Sequence, residues 1–115
     1  MIDKVILRNT IFKHLDGLVI APVAFSLHKS GALVYILDKK EVTLEDLASN
    51  FKANEGYLNV GLRNLCSQGF LEYDINNAAD VIKFSINDNS EIAFSMFYFY
   101  EDVIDLLHFS MQFHP

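Results

Sequence analysis

Hydrophobic and polar positions follow two different periods between Thr43 and Ile86, and their order predicts helix, turn, helix and then a two-stranded hairpin. Leu44, Leu47, Ala48 and Phe51 recur at spacings of three and four, the stripe of an amphipathic helix. They follow Thr43-Leu44-Glu45-Asp46, a capping-box pattern in which the Thr43 hydroxyl accepts from the amide three residues on and Asp46 reaches back. A helix is therefore predicted to start at Leu44. After the short Lys52-Ala53 link, Asn54 is the next candidate cap, and Leu58, Leu62, Leu65 and Cys66 form a second stripe. Gly69 is placed to end that helix in the left-handed conformation. Phe70-Leu71-Glu72-Tyr73 then alternates as a half-buried strand does, and Asn76-Asn77 carries turn chemistry. Val81 to Ile86 completes the hairpin with Ile82, Phe84 and Ile86 on one face. The expected fold class is mainly α: a winged helix with flanking apolar helices.

The flanks are more apolar than this core requires. Ile2, Val5, Ile6, Phe12 and Leu15 fit an amphipathic helix ending near Asp16-Gly17. A second helix is expected from about Pro22, with a pause at Ser30-Gly31 before Ala32 to Leu37. Almost every side chain from Val19 to Leu27 is apolar, so one side of that segment calls for a partner beyond the domain's own core. Leu18 to Leu27 is too short for a bilayer core, which needs about 20 apolar residues. Asp3 and Asp16 also dilute the basic lead-in of a signal peptide, so no membrane partner is expected. At the other end Ser90 is the expected N-cap of an unbroken helix from Ile92 to about Gln112. Its polar residues, Glu91, Glu101, Asp102, Asp105, His108 and Gln112, share one narrow arc. The organisation expected is a single domain over residues 1–115, with a core at 32–88 and flanking helices at about 2–30 and 91–112.

Composition sharpens this picture. Apolar residues make up 51% of the 115, and Phe occurs 10 times, an excess that favours association. The formal net charge of -6 opposes generic binding of polyanions, because such affinity rests on Lys and Arg neutralising phosphates. The single cysteine, Cys66, excludes an internal disulfide and fits a small buried hydrophobe in a reduced, cytoplasmic protein. The glycines form no Gly-x-Gly-x-x-Gly run, and the four histidines lack metal-ligand spacing, so neither a nucleotide loop nor a metal site is expected. Asp105 and His108 lie one turn apart and can share a proton, but a solvated stripe on an apolar helix explains them more simply. No catalytic constellation is present. The second helix of the pair offers Glu55, Asn59, Arg63 and Asn64, with Lys52 ahead of it, a poor phosphate surface. The balance of charge predicts a winged helix used for packing, with no nucleic acid favoured and Arg63→Ala without effect on any such function. A DNA-binding transcriptional regulator is the alternative.

Three segments bring a known family to mind: Ser30-Gly31-Ala32-Leu33-Val34-Tyr35-Ile36-Leu37, Thr43-Leu44-Glu45-Asp46-Leu47-Ala48, and Tyr57-Leu58 through Leu62-Arg63-Asn64-Leu65 to Gly69-Phe70-Leu71-Glu72. Over about residues 20–90 the chain resembles the N-terminal dimerisation domain of S-adenosylmethionine-dependent small-molecule methyltransferases. The resemblance implies a non-catalytic dimerisation and substrate-roof module, possibly of a natural-product or polyketide pathway. It implies a homodimer or a neighbouring methyltransferase domain as partner, and a small-molecule substrate reached through that domain. S-adenosylmethionine is implied for the attached domain only, since the Asp/Glu-x-Gly-x-Gly loop is absent from this chain. Phe94, Phe97, Tyr98, Glu101, Asp105 and His108 are then the candidate roof or interface residues.

Overall fold

The computed structural model describes the backbone of residues 3–111 and the side chains of residues 3–106. Nine elements follow one another: α1 (Lys4–Ser30), α2 (Ala32–Lys39), β1 (Glu41–Thr43), α3 (Leu44–Phe51), α4 (Glu55–Ser67), β2 (Glu72–Asn76), β3 (Val81–Ser85), α5 (Ser90–Ser95) and α6 (Tyr98–Met111). The strands form one antiparallel sheet in the order β1-β3-β2. Val42 and Tyr73 both face Phe84 of the central strand in register. The result is a winged helix, with the β2–β3 hairpin as the wing.

Local chemistry sets the central elements much as the pattern predicts. Thr43 Oγ accepts from the Asp46 amide at 3.1 Å, and Asn54 Oδ1 accepts from the Tyr57 amide at 3.0 Å, so both helices are capped as expected. The Asp46 carboxylate instead accepts from Tyr35 Oη at 2.8 Å, tying α3 to α2. Gly31 and Gly69 have φ of 86° and 81°, which an L side chain rarely adopts. At Gly69 this lets the Phe70 amide reach back to the Leu65 carbonyl at 3.0 Å and close α4. The core is built from Leu33 and Ile36 of α2, Leu44 and Leu47 of α3, Leu62 and Leu65 of α4, and Leu71, Phe84, Phe94 and Phe97. The third strand, β1, escaped the pattern because three residues are too few to show a period of two.

The flanking helices depart from expectation at three points. The first two predicted helices are one: α1 runs unbroken for 27 residues through Gly17 and Pro22. A helical glycine costs only about 1 kcal/mol relative to alanine. Proline removes one intrahelical bond, and packing of Ile20, Ala24 and Leu27 into the core holds the helix across it. Ser90 is not an N-cap but the first residue of α5, whose N-cap position is held by Asn89. Its hydroxyl is fully buried, donating to the Phe70 carbonyl at 2.6 Å and accepting from the Asn87 amide at 2.9 Å. The long C-terminal helix is broken between Ser95 and Tyr98. There the amides of Met96, Phe97, Phe99 and Tyr100 each reach back three residues instead of four. The break turns Phe97, 1% exposed, against Phe70, Phe94 and Tyr100 in three edge-on ring pairs with centroids 5.5, 5.2 and 4.9 Å apart.

The N-terminal half of α1 stands clear of the core. A radius of gyration of 16.4 Å exceeds the roughly 13 Å of a compact domain of about 100 residues. Val5, Ile6, Ile11, Phe12, Leu15, Leu18 and Val19 are exposed along it, and Tyr98, Phe99, Val103 and Leu106 are exposed on α6, which packs beside α1. Lys29 of α1 and Glu101 of α6 are joined at 2.7 Å. By length and hydropathy α1 also matches a membrane span, although its last third is built into the core.

This uncovered apolar surface predicts self-association through α1 and α6. Light scattering at micromolar concentration is expected to give about twice the 13.1 kDa of one chain. Leu18→Glu should return it to the monomer mass with unchanged helicity; a wild-type monomer contradicts this account. Phe97→Ala should lower stability by about 3–5 kcal/mol in urea unfolding, the usual loss for a buried phenylalanine.

Candidate functional site

The helix pair and its wing present one continuous surface. Leu58, Leu62 and Leu65 turn inward, so at 100° per residue the opposite face of α4 carries Gly56, Val60, Arg63 and Ser67, with Tyr57 and Asn64 beside them. Tyr57 and Val60 are exposed, and Asn64 and Arg63 are half-buried. The turn before α4 places Lys52 in the left-handed conformation, with the Ala53 amide bonded to the Ala48 carbonyl at 3.0 Å. That geometry sets α4 across α3 with its N-terminal turns forward.

Arg63 couples helix and wing. Its guanidinium lies 4.8 Å over the Tyr73 ring of β2. Its Nε is buried without a hydrogen-bond partner, as is Asn59 Oδ1, among the described residues. Between the start of α3, the first turn of α4 and the wing lies a cavity of about 410 Å³, lined by Thr43, Glu45, Glu55, Asn59, Asp80 and Ile82 among others. From Leu44 to Ser85 the cations are Lys52, Arg63 and Lys83, against Glu45, Asp46, Glu55, Glu72, Asp74 and Asp80. Lys83 is already paired with Glu41 at 3.3 Å. The surface is therefore acidic overall, and any polyanion on it must be held by few phosphate contacts.

Of the residues expected at a substrate roof, Phe97 lines a cavity of about 520 Å³ together with Phe70, Met96, Phe99 and Tyr100. Phe94 and Phe97 are core side chains, and Tyr98 is exposed against Phe99. Glu101 is occupied by Lys29, whose hydrogen bond holds its carboxyl below the usual range; the same bond raises the Lys29 ammonium. Asp105 is exposed, and the His108 side chain lies outside the described residues. The Arg63–Tyr73 stack went unforeseen, since the two residues sit on different elements. Of Glu55, Asn59, Arg63 and Asn64, the residues expected on the free side of α4, the structure puts only Arg63 and Asn64 on or beside the outward face, while Asn59 Oδ1 is buried and exposed Tyr57 and Val60 take the first turns.

Cys66 has no reactive setting. Burial pushes its thiol up to about 11 from the ordinary 9.0, with Glu72 adding to the shift. Among the described residues no group of three or more His, Cys, Asp and Glu side chains can hold a metal ion.

A family described as the AprA N-terminal domain matches residues 7–73, more than half of the chain. No curated protein matches. The YusO protein from Bacillus subtilis is similar in structure, with 17% identity and a TM-score of 0.52 over 96% of this chain and 86% of that one. A transcriptional regulator homologue from Pyrococcus horikoshii OT3 has 19% identity and a TM-score of 0.55 over 75% and 83%. A mutant MarR from E. coli, complexed with operator DNA, has 13% identity and a TM-score of 0.52 over 92% and 90%. At these identities the likeness shows the fold. It corrects the methyltransferase resemblance: the winged-helix order that suggested a methyltransferase dimerisation module is matched by a protein described as a transcriptional regulator homologue and by one complexed with operator DNA. Capping, helix spacing and the Gly-apolar strand belong to the winged helix itself, so those motifs carried no information about methyl transfer. The S-adenosylmethionine and small-molecule substrate rested on that resemblance alone.

Alkylation of Cys66 by iodoacetamide should be slow at pH 8, because the thiolate is scarce, and should rise with pH towards about 11. A rate that levels off near pH 8 to 9 contradicts the buried-thiol account.

Proposed function

We propose that this chain, which belongs to the AprA N-terminal domain family, acts as a winged-helix transcriptional regulator that reads duplex DNA through α4. One observation carries the reading. The first turns of the 13-residue α4 present exposed Tyr57 and Val60, opposite a stripe sealed in the core, while Arg63 further along stacks on the wing. A helix about 20 Å long fits a major groove about 12 Å wide. The likeness to a MarR structure on operator DNA supports the same use of the fold.

This reading replaces the expectation that no nucleic acid binds. That expectation weighed net charge, which governs non-specific affinity, whereas specific reading rests on base-edge contacts by a few side chains. The acidic balance then sets the mode of binding: weak on random sequence, and dependent on the fit of α4. Association through α1 and α6 would present two reading helices to half-sites about 34 Å apart. The proposal places the chain in the cytoplasm, with the DNA.

Fluorescence anisotropy with a library of duplexes at about 50 mM salt tests the proposal. Selected duplexes should bind, with log affinity falling against log salt at a slope of about 0.9 for each phosphate neutralised. No more than about three such phosphates per chain are expected from Lys52, Arg63 and Lys83. Arg63→Ala should weaken binding roughly tenfold, since it removes the cation of α4 and frees the wing. Absence of binding to every duplex at low salt overturns the reading and leaves a protein-docking surface in its place.

A further inference from the structure

We propose that α4 reads thymine methyl groups, so that the duplex it selects is A·T-rich where Tyr57 and Val60 meet the groove. The inference deepens the DNA-reading function and rests on it. The first turns of a reading helix are the part that meets base edges. In α4 those turns present Tyr57, 81% exposed, and Val60, 60% exposed, three residues apart and so adjacent on one face. Gly56 before them adds no side chain.

The choice among bases follows from what this face lacks. Guanine is read by Arg or Lys donating to O6 and N7, and no Arg or Lys occurs from Asn54 to Leu62. Arg63 comes a turn later, with its guanidinium held over the Tyr73 ring of the wing. Glu55, whose ionised carboxylate is suited to accept from cytosine N4, lies about 140° from Val60 around α4 at 100° per residue and so falls off this face. Thymine alone offers an apolar group on its major-groove edge, the C5 methyl. Exposed Val60 gains by burying its methyls against that group. Asn64, one turn beyond Val60 and half-buried, carries the amide that pairs with adenine N6 and N7. Apolar and amide groups side by side on one face therefore complement A·T pairs.

The test uses the full chain and three labelled probes at low salt: alternating dA·dT, alternating dG·dC, and alternating dA·dU, which lacks only the thymine methyl. Binding to dA·dT should be about fivefold or more tighter than to dG·dC. The dA·dU duplex should bind more weakly than dA·dT, and Val60→Ala should abolish that difference while circular dichroism stays unchanged. Equal affinity for dA·dT and dA·dU overturns the inference, as does a difference that survives in Val60→Ala. Failure to bind any of the three, while some duplex of the library binds, overturns the inference alone; absence of binding to every duplex of the library overturns the DNA-reading function itself, so the two failures are distinguishable.

Discussion

The burial of Phe84 in the middle of the small sheet is the constraint on which the other elements depend. It lies on the central strand, facing Val42 on one side and Tyr73 on the other, and is fully sealed. A three-stranded sheet with one polar face is stable only when the opposite face is covered, here by Leu47, Leu62, Leu65 and Leu71 from the helix pair and its exit. Covering it with leucines spaced three and four apart orients α3 and α4 at once. The face of α4 turned to solvent is the consequence, not an independent feature.

The second anchor is the junction of Gly69, Phe70, Asn87 and Ser90. Asn87 Nδ2 donates to the Gly69 carbonyl at 3.0 Å, and Ser90 Oγ donates to the Phe70 carbonyl at 2.6 Å. These bonds satisfy part-buried carbonyls that α4 and the wing leave unpaired. They also fix the point at which the chain leaves the winged helix. Phe97 then fills the space beside Phe70, and the turn this forces sends α6 along α1. The outward face of α4 and the exposed apolar face of α1 and α6 are thus held apart by one polar knot and one aromatic cluster.

Electrostatics distinguishes what such a surface does from what the fold permits. Three cations among six carboxylates make α4 and the wing a poor general polyanion site. Arg63 serves twice, as the cation of α4 and as the stack that steadies the hairpin. A surface so short of positive charge offers a polyanion few phosphate contacts.

Short-range chemistry was legible along the chain. The caps at Thr43 and Asn54, the αL stop at Gly69, the two helical stripes and the hairpin follow from contacts within a few residues, and such contacts repeat wherever the same residues occur in that order. The outward face of α4 was legible only in part: Arg63 and Asn64 were expected there, whereas Tyr57 and Val60 were not and Asn59 is partly buried. What the tertiary structure decided involved groups distant in sequence. Gly17 and Pro22 read as breakers, yet α1 continues because Ile20, Ala24 and Leu27 are packed by other elements. Ser90 reads as a cap and is a buried donor because the Phe70 carbonyl arrives from twenty residues away. The uninterrupted apolar pattern after Ile92 conceals a break that only the space beside Phe70 imposes. Propensity is worth fractions of a kcal/mol per residue, and a buried phenylalanine or hydroxyl outweighs it.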